Sequence, residues 1–541
     1  MPTAPSSLLL VLVASLVVLL ALLARRKRFR TVPGPPATSF WHGSDAQFLD
    51  GRTGQSFQDE IVRRYGMIVR VRRGFLRDDH LFVCDPIALQ HMLVKDQTNF
   101  EQGATQQETT RLIHGPGLLS STGERHKRQR RLLNPVFTAP HLRRLVPVFH
   151  DVASKLADVL EKTAGTRDHD VDVLGHLSRT ALELIGQGGL GHSFSADGPY
   201  TLSETLKDLL PSVFQYVHWW PLLRPLRAVF GPHLLRRAAE GISRHSAPAA
   251  RLKRNIDALD DATAKIFARK KQAVLEGRFS AEDGGDCDAV DIISQLLLAN
   301  ARAPVDERHP DDELRAHMAT LITAGRDTVS HVVARTLQVL AERSDVQDAL
   351  RAELANASGD FDFDALMALP YLDAVIREML RLYSTISFVN RTVQHDTVLP
   401  LLDGQPVVVP GGTTIRIGLA TANTAPVLWG ADAREFRPER WLKDKEGKGK
   451  ETGQLNERAL PGVWSNIMSF MGGPRGCIGY RFALLEMKVL LSVLLRRFRF
   501  LPASKDMRVE WYLGPSNTPY IVGRESEGPK LPLRIESLGS T

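Results

Sequence analysis

Cys477 stands in the part of the chain whose residue types point most directly to chemistry. The loop before it is rich in glycine and contains a proline, and residues 480–496 after it show strong helical periodicity. A cysteine at a helix start faces backbone N–H groups and the positive end of the helix dipole, and both favour the thiolate over the thiol. The sequence therefore predicts that Cys477 is a nucleophile or a metal ligand.

The surroundings of Cys477 narrow that choice. A nucleophilic cysteine needs a base, and no candidate histidine pair accompanies it. A zinc site needs further cysteine or histidine ligands, and the loop contains none. A single thiolate is what a haem iron requires on its proximal side. A buried free cysteine in a glycine loop is the alternative that involves no chemistry.

The loop resembles the FxxGxRxCxG motif of the haem-thiolate monooxygenases, the cytochrome P-450 superfamily. The match is complete, and its residues are Phe470, Gly473, Arg475, Cys477 and Gly479. The resemblance implies haem b as the cofactor, with Cys477 as the axial ligand of the iron and the other four residues forming the loop that binds it. It extends over about residues 31–541, and the chain is most similar in style to microsomal, fungal members that act on terpenoids and other secondary metabolites.

Glu378 and Arg381 stand three residues apart, on one face of a predicted helix. Most such pairs are solvated surface bridges. This pair resembles the ExxR motif of the family's K helix, and residues 436–441 resemble its following meander motif. The resemblance implies a buried network of Glu378, Arg381 and Arg440 that fixes the haem-binding loop and takes no part in the chemistry.

Asp327 and Thr328 lie within a helical pattern that covers residues 310–343. A glycine precedes them, at a cost of about 1 kcal/mol in mid-helix, and the Thr328 hydroxyl can bond the carbonyl four residues earlier. An ordinary helix with one glycine is the plain interpretation. The segment resembles the family's I-helix motif, which implies that Asp327 and Thr328 are catalytic and relay protons where dioxygen binds. Val329 stands where the family often has a second hydroxyl residue.

A basic cluster lies further towards the N-terminus, at Arg125, Lys127, Arg128, Arg130 and Arg131. The spacing of His126 and Arg130 gives them one direction on a helix, and the pair resembles the family's C-helix WxxxR motif with histidine in place of tryptophan. The resemblance implies that His126, Arg130, Arg475 and Arg391 contact the haem propionates, although His126 is open to interpretation as a surface histidine. The other cluster residues would face an NADPH-dependent flavoprotein reductase and steer its approach.

The substrate pocket departs from the family at one point. Where a Pro-Pro pair is usual after the K helix, this chain has Tyr383, Ser384 and Thr385. The same resemblance assigns the pocket walls to residues 106–118, 210–220, 317–324, 385–390 and 514–519. Residues 219–223 have the composition either of an element that dips into a membrane interface or of a buried helix junction.

Residues 8–24 form an uncharged, apolar run that is long enough to span a thin bilayer. Basic residues follow the run at 25–30, which favours a membrane anchor over a cleaved signal peptide and holds the following chain in the cytosol. We therefore expect three segments: a luminal tip with the anchor over residues 1–24, a basic, proline-rich linker over 25–37, and a catalytic domain over 38–541. The expected location is the endoplasmic reticulum membrane, crossed once.

Composition and periodicity set the fold class. The 541 residues are 43% hydrophobic and 24% charged, which suits a large globular protein, and three cysteines suit a reducing compartment. The net charge of +8 comes from the clusters at 25–30 and 125–131, without which it is about −2, so nucleic acid is not an expected partner. Helical periodicity dominates residues 125–382. Short strands are predicted at 67–72, 81–83, 398–402, 407–409 and 414–417, with a hairpin at 514–522. The predicted fold is mainly α with small β-sheets, in a single large unit.

The expected reaction inserts one oxygen atom from O₂ into a lipophilic small molecule and reduces the other to water with electrons from NADPH. Two alternatives share Cys477. A reductase-independent haem-thiolate isomerase or peroxygenase would often lack the acid and alcohol that Asp327 and Thr328 supply. A non-catalytic haem-binding sensor would not consume NADPH.

Overall fold

The computed structural model describes residues 31–538 with several gaps. The described ranges are 31–74, 78–164, 170–197, 201–207, 246–277, 291–357, 361–442, 460–505 and 507–538, with residues 209, 212, 213, 241 and 244. The predicted anchor at 8–24, most of the predicted wall at 210–220 and the element at 219–223 lie outside the described residues. Among the described helices, none combines the length and apolar character that crossing a membrane requires.

Helices account for most of the described chain, as predicted. In chain order they are α1 (Asp45–Phe48), α2 (Gly54–Tyr65), α3 (Pro86–Gln90), α4 (Ala104–His114), α5 (Gly123–Leu133), α6 (Ala139–Ala164), α7 (Val173–Leu184), α8 (Thr201–Leu206), α9 (Ala247–Leu275), α10 (Ile292–Arg302), α11 (Asp311–Glu342), α12 (Ser344–Asn356), α13 (Phe363–Ala368), α14 (Pro370–Leu382), α15 (Leu419–Asn423), α16 (Pro426–Trp429) and α17 (Tyr480–Arg497). Short 3₁₀ helices include Pro438–Trp441 and Gly473–Arg475, and π-helical turns cover His91–Lys95 and Ile185–Leu190.

The strands are short. They are β1 (Ile68–Val71), β2 (His80–Val83), β3 (Phe100–Glu101), β4 (Val171–Asp172), β5 (Phe388–Val393), β6 (Thr397–Leu399), β7 (Val407–Val409), β8 (Thr414–Gly418), β9 (Phe498–Leu501), β10 (Val509–Tyr512), β11 (Thr518–Ile521) and β12 (Pro532–Ser537). The strands predicted at 67–72, 81–83, 407–409 and 414–417 are all present.

The described chain divides into two compact units, each built from separate stretches of sequence. The first unit takes its described residues from Met1–Gly103, Ile386–Arg434 and Gln454–Gly476, and the second from Ala104–Thr385, Glu435–Gly453 and Cys477–Thr541. This division interrupts the 38–541 segment in several places, and composition gave no signal for it.

The first unit is built on a five-stranded sheet in the order β1-β2-β8-β5-β3. β2 and β8 are parallel, whereas the other neighbours are antiparallel. Asp85 connects the sheet to α3, because its carboxylate accepts hydrogen bonds from the N–H groups of Ile87 and Ala88, and Pro86 begins the helix. A separate hairpin pairs β6 with β7.

The second unit contains most of the long helices, and α11 is the longest of them. Three acidic residues fill the first turn of α11, where they interact favourably with the helix dipole. Its middle is buried on most sides, against α7 in particular. Two small sheets complete the unit: the hairpin of β10 and β11, and the sheet β4-β12-β9, in which β4 and β12 are hundreds of residues apart in sequence.

Candidate active site

Cys477 lies just before α17, whose N-cap is Gly479. Its side chain is exposed at the protein surface of the second unit, yet enough protein surrounds the sulfur that burial raises the pKa of the thiol. The Gly479 N–H group and the positive charge of Arg130 act in the opposite direction and lower this pKa. Both effects that favour a thiolate are therefore present, but desolvation outweighs them, contrary to the expectation from sequence. Coordination to a metal deprotonates a thiol outright.

The motif glycine Gly473 belongs to the first unit and is required by its backbone. Its φ is +68°, and a Cβ atom there would lie 1.8 Å from the carbonyl oxygen of Leu93. Gly472 is equally constrained, because a Cβ atom would meet the carbonyl oxygen of Pro461 at 1.5 Å. Phe470 is buried and packs edge-on against Trp464, with ring centroids 6.1 Å apart. These contacts fix the course of the loop that leads to the cysteine.

Two buried arginines lie together in the first unit. Arg475 donates to Glu101 over 2.8 Å, and its Nε atom has no hydrogen-bond partner among the described residues. Arg391 donates to the carbonyl oxygen of Asn390 at 2.7 Å and contacts the sulfur of Met471 at 3.5 Å. Burial and, to a smaller extent, the charge of Arg475 lower the pKa of Arg391 to about 10, and the charge of Glu101 opposes both effects. A spare donor and an excess of positive charge suit a further carboxylate ligand, as haem propionates would be.

Helix α5 separates its polar residues onto two faces. His126 is buried and Arg130 is half-buried, whereas Lys127, Arg128 and Arg131 are exposed. The common direction of His126 and Arg130 is therefore as predicted, and the interpretation of His126 as a surface histidine is wrong. Within the second unit, Cys477 would supply the thiolate for an iron, and His126 and Arg130 on α5 would donate to carboxylates such as haem propionates.

Helix α11 continues without a break through Gly325. The Thr328 hydroxyl donates to the carbonyl oxygen of Ala324 at 2.8 Å, as predicted. Ala324 is exposed and Thr328 half-buried, whereas Ile322, Arg326 and Val329 are buried, so this face of α11 borders open space. The Asp327 carboxylate forms an ion pair with Arg326, a partner that the sequence analysis did not assign. Arg326 is itself buried and donates to the carbonyl oxygen of Ser203.

Glu378 is the central acceptor of a buried hydrogen-bond network within the second unit. Arg381 donates to both of its carboxylate oxygens at 2.8 Å, and neither side chain is exposed. The Arg437 N–H group and the Trp441 indole also donate to it, at 3.0 and 2.9 Å. Arg440 is more distant, with its Nε atom 3.7 Å from the carboxylate. The expected three residues are thus together, and Trp441, inside the meander motif, was missed as a direct partner.

Two predicted pocket walls of the second unit are in contact. His114 at the end of α4 places its Nε2 atom 2.8 Å from the Thr323 hydroxyl of α11. Gly117 approaches Ala316 so closely that a Cβ atom would lie 3.0 Å from the Ala316 methyl group. Walls 106–118 and 317–324 therefore adjoin along α11.

The hairpin turn between β10 and β11 binds the segment that lacks prolines. The Asn517 N–H group donates to the Thr385 carbonyl oxygen at 2.7 Å, and its side-chain amide donates to that of Ser384 at 2.9 Å. His331 of α11 bonds the neighbouring Ser516 hydroxyl at 2.8 Å. Sequence reasoning did not find these contacts, although an asparagine in a turn, beside a serine, was a visible signal.

The comparisons with known proteins agree with this geometry. The sequence matches the family Cytochrome P450 over residues 32–517. Cytochrome P450 monooxygenase 91 of Postia placenta is 40% identical over 94% of each chain. Ganoderic acid synthetase CYP5150L8 of Ganoderma lucidum is 35% identical over 98% of this chain and 99% of its own length, and the monooxygenase eriI of Hericium erinaceus is 31% identical over 94% of each.

The family match covers most of the chain, and the relatives are of similar length. The cofactor and the reaction type of the family therefore apply to this chain. The cofactor is haem, whose iron takes a cysteine thiolate as its axial ligand, and Cys477 is the cysteine of the motif. The chain belongs to the cytochrome P450 family and is a haem-thiolate monooxygenase.

Proposed function

We propose that this monooxygenase hydroxylates a lipophilic small molecule with NADPH electrons that a flavoprotein reductase delivers. The observation that carries the proposal is the face of α11 that borders open space, where Thr328 and the acid Asp327 stand side by side. An isomerase or a peroxygenase does not reduce dioxygen, so it needs no residues that deliver protons to dioxygen. The relative from Ganoderma lucidum, named a ganoderic acid synthetase, supports a role in the synthesis of a small organic molecule.

Each site residue has a proposed role. Haem, when bound, supplies the iron at which dioxygen is reduced, and Cys477 holds that iron. Arg130 and His126 in the second unit, and Arg475 and Arg391 in the first, donate to the propionates. Phe470, Gly473 and Gly479 would shape the loop, and Glu378, Arg381 and Arg440 would form a structural network that takes no part in the chemistry.

The first experiment tests the cofactor and its ligand. The reduced protein under carbon monoxide is expected to show the strongly red-shifted Soret band of thiolate ligation, and Cys477→Ala is expected to abolish it. Cys84→Ala is the matched control, because Cys84 is a buried cysteine outside the motif. A band typical of histidine ligation in the wild-type protein would contradict the assignment.

The second experiment tests the proton relay. Thr328→Ala removes the hydroxyl that would position protons, so NADPH consumption should continue while product per NADPH falls by about 10²-fold. Thr336→Ala is the control, because the Thr336 hydroxyl bonds a carbonyl of α11 in the same way but is buried elsewhere on the helix. Equal coupling in both variants would exclude Thr328 from the relay.

We also propose that Lys127, Arg128 and Arg131 contact the reductase. All three are exposed on α5, whereas Arg125 is held by Glu313 at 2.7 Å. Charge reversal in an Arg128→Glu, Arg131→Glu variant should raise the reductase concentration needed for half-maximal rate several-fold at low salt and less at high salt. Lys155→Glu on α6 is the control, since Lys155 is 65% exposed. Identical salt profiles would count against this surface.

We propose that residues 8–24 anchor the chain in the endoplasmic reticulum membrane and that the catalytic part lies in the cytosol. The apolar run and the basic residues after it support this topology. Full-length protein should resist extraction by alkaline carbonate, and protease added outside microsomes should digest residues beyond 37. Release of the full-length chain by carbonate would contradict the proposal.

A further inference from the structure

One face of α11 is polar beyond the two relay residues. Thr320, Thr323, Ala324, Asp327 and Thr328 follow one another at helical spacings of three, one, three and one, so they form a single stripe. All five are partly or fully exposed, as are Leu321 and Gly325, while Ile322 and Arg326 between them are buried. The stripe therefore faces the open space beside the helix. Its three hydroxyls each donate to a carbonyl oxygen of α11, so each has a lone pair left to accept a hydrogen bond, and the Asp327 carboxylate pairs with Arg326.

Thr323 is in contact with a histidine from another predicted wall. The His114 ring lies 2.8 Å from the Thr323 hydroxyl through Nε2 and 3.3 Å from the Thr110 carbonyl oxygen through Nδ1. The Thr323 hydroxyl also lies 2.9 Å from the Ala319 carbonyl oxygen. Burial lowers the pKa of His114 to about 4, so at neutral pH the ring carries one proton.

Because the ring carries one proton, His114 has two possible tautomers, and each gives a different hydrogen-bond arrangement. If His114 donates from Nδ1 to Thr110, the Thr323 hydroxyl must donate to Nε2 and give up Ala319. If His114 donates from Nε2, the Thr323 hydroxyl keeps Ala319, and its oxygen accepts. The Thr323 hydroxyl can therefore turn between two orientations. Its single proton is donated within the protein in both, so its oxygen can accept a hydrogen bond from a third group at the open face.

A second histidine extends the polar character by one turn. His317 is 1% exposed, and neither of its ring nitrogens has a hydrogen-bond partner among the described residues. Burial lowers the pKa of His317 to about 4, so the ring is neutral at physiological pH. A buried polar group without a partner costs about 1–3 kcal/mol, and an ordered water near Thr320 would relieve that cost.

We propose that Thr320, Thr323 and His114 form a polar subsite that accepts a hydrogen bond from a hydroxyl group already present on the substrate. The proposal rests on the monooxygenase function given above. A pocket for a plain hydrocarbon would gain nothing from hydroxyls on its wall, because each must be desolvated when the pocket fills. A substrate that carries a hydroxyl group restores the hydrogen bond that the displaced water had made.

The position of the subsite limits the geometry of the substrate. Thr323 precedes Thr328 by five residues, which is about 7–8 Å along the helix axis. The recognised oxygen and the carbon that is attacked are therefore several bonds apart. The class of reaction that supplies the substrate must itself leave an oxygen on the skeleton, as a prior hydroxylation or hydration does. This enzyme then adds a second oxygen function at a distance from the first.

The experiment compares matched alcohols and hydrocarbons on the haem-loaded enzyme. The probe pairs are cedrol and cedrane, 1-adamantanol and adamantane, and dodecan-1-ol and dodecane, each measured by displacement of 4-phenylimidazole. In Thr323→Val, which removes the hydroxyl and keeps the shape, the ratio of alcohol to hydrocarbon affinity should fall about threefold to tenfold, as expected for one hydrogen bond. Thr323→Ser should restore the ratio.

Thr336→Val is the matched control on the same helix, because its hydroxyl makes the same bond to a carbonyl and is buried. Its affinity ratio should equal that of the wild type. A ratio unchanged by Thr323→Val in all three pairs overturns the subsite, including the case in which only the melting temperature falls and the contact is purely structural. Loss of the carbon monoxide band in the wild type would instead contradict the proposed function, so the two failures are distinguishable.

Discussion

The second unit contains two buried glutamates whose surroundings are opposite. Glu378 on α14 accepts hydrogen bonds from Arg381, the Arg437 N–H group and Trp441. Glu486 on α17 has no partner for either carboxylate oxygen among the described residues. Removing a partner from Glu378 would leave a buried charge uncompensated, whereas Glu486 already lacks compensation. A buried glutamate thus stabilises the fold at position 378, and at position 486 its ionised form destabilises the fold.

We expect Glu486→Gln to stabilise the protein at neutral and higher pH. Burial raises the pKa of Glu486 well above its ordinary value of 4.5. The folded protein therefore keeps a proton that the unfolded chain releases. The stability that this group contributes is complete below about pH 4.5 and is lost as the pH rises towards the folded pKa, by up to about 1.4 kcal/mol per pH unit. Glutamine is similar in shape to the protonated acid and removes this loss.

Melting temperatures of the wild type and of Glu486→Gln between pH 5 and 8 measure the effect. The two should be close at pH 5 and separate progressively as the pH rises. Glu124→Gln is the control, because the Glu124 side chain is 86% exposed. Parallel curves for the wild type and Glu486→Gln would mean that the carboxyl group finds a partner or water in solution.

At the scale of elements, the hairpin of β10 and β11 is tied to the segment after α14. Asn517 bonds the carbonyl oxygens of Ser384 and Thr385, where the family usually has two prolines. Proline restricts a backbone by its ring, whereas these hydrogen bonds restrict it from outside. The segment is therefore held by a neighbouring element, and its position depends on the hairpin.

We expect Asn517→Ala to loosen this segment. The side-chain hydrogen bond to Ser384 is lost at a cost of about 0.5–1.5 kcal/mol, while the backbone bond to Thr385 remains. Amide exchange at residues 383–385 should accelerate severalfold, and the product distribution should broaden. Asn300→Ala is the matched control, because the Asn300 side chain also donates to a carbonyl oxygen, that of His309, at 3.0 Å. Broader products in the control as well would assign the change to general destabilisation.

The elements differ in how far the sequence predicts them. Helices α11 and α17 agree with the predicted ranges to within one residue at each end, because their patterns are local. The sheet β4-β12-β9 was missed, since its strands are two to six residues long and β4 pairs with β12 across hundreds of residues. Arg326, beside Asp327, was visible in the motif, but nothing local shows that its side chain turns back to that carboxylate.

At the scale of the whole molecule, the excess positive charge is concentrated in two clusters of the sequence, and many polar side chains are buried. On α5, His126 and Arg130 point inward while Lys127, Arg128 and Arg131 are exposed, a division that helical periodicity predicts. The separation into two units follows contacts between distant stretches, so periodicity alone carries no information about it. Buried histidines are a further property of the whole chain, and they determine how the fold responds to acid.

We expect the stability of the protein to fall between about pH 6.5 and pH 4. The pKa values of His114 and His317 are lowered from 6.5 to about 4, mainly by burial; for His317, His309 adds to this lowering and Glu313 opposes it. Over this pH range these histidines become protonated in the unfolded chain but remain neutral in the folded protein. Stability is therefore complete above the unfolded pKa and declines as the pH falls, by up to about 1.4 kcal/mol per pH unit for each such histidine.

The variant His317→Leu isolates one of these protons. Leucine fills the buried site without a titratable group, so the free energy of unfolding should depend less steeply on pH, by about one proton between pH 6 and 4.5. His395→Gln is the control, because His395 is exposed and should leave the slope unchanged. Urea unfolding at a series of pH values gives both slopes. If His317→Leu keeps the wild-type slope, His317 takes up its proton in the folded protein too, and the acid sensitivity must originate at the other buried histidines.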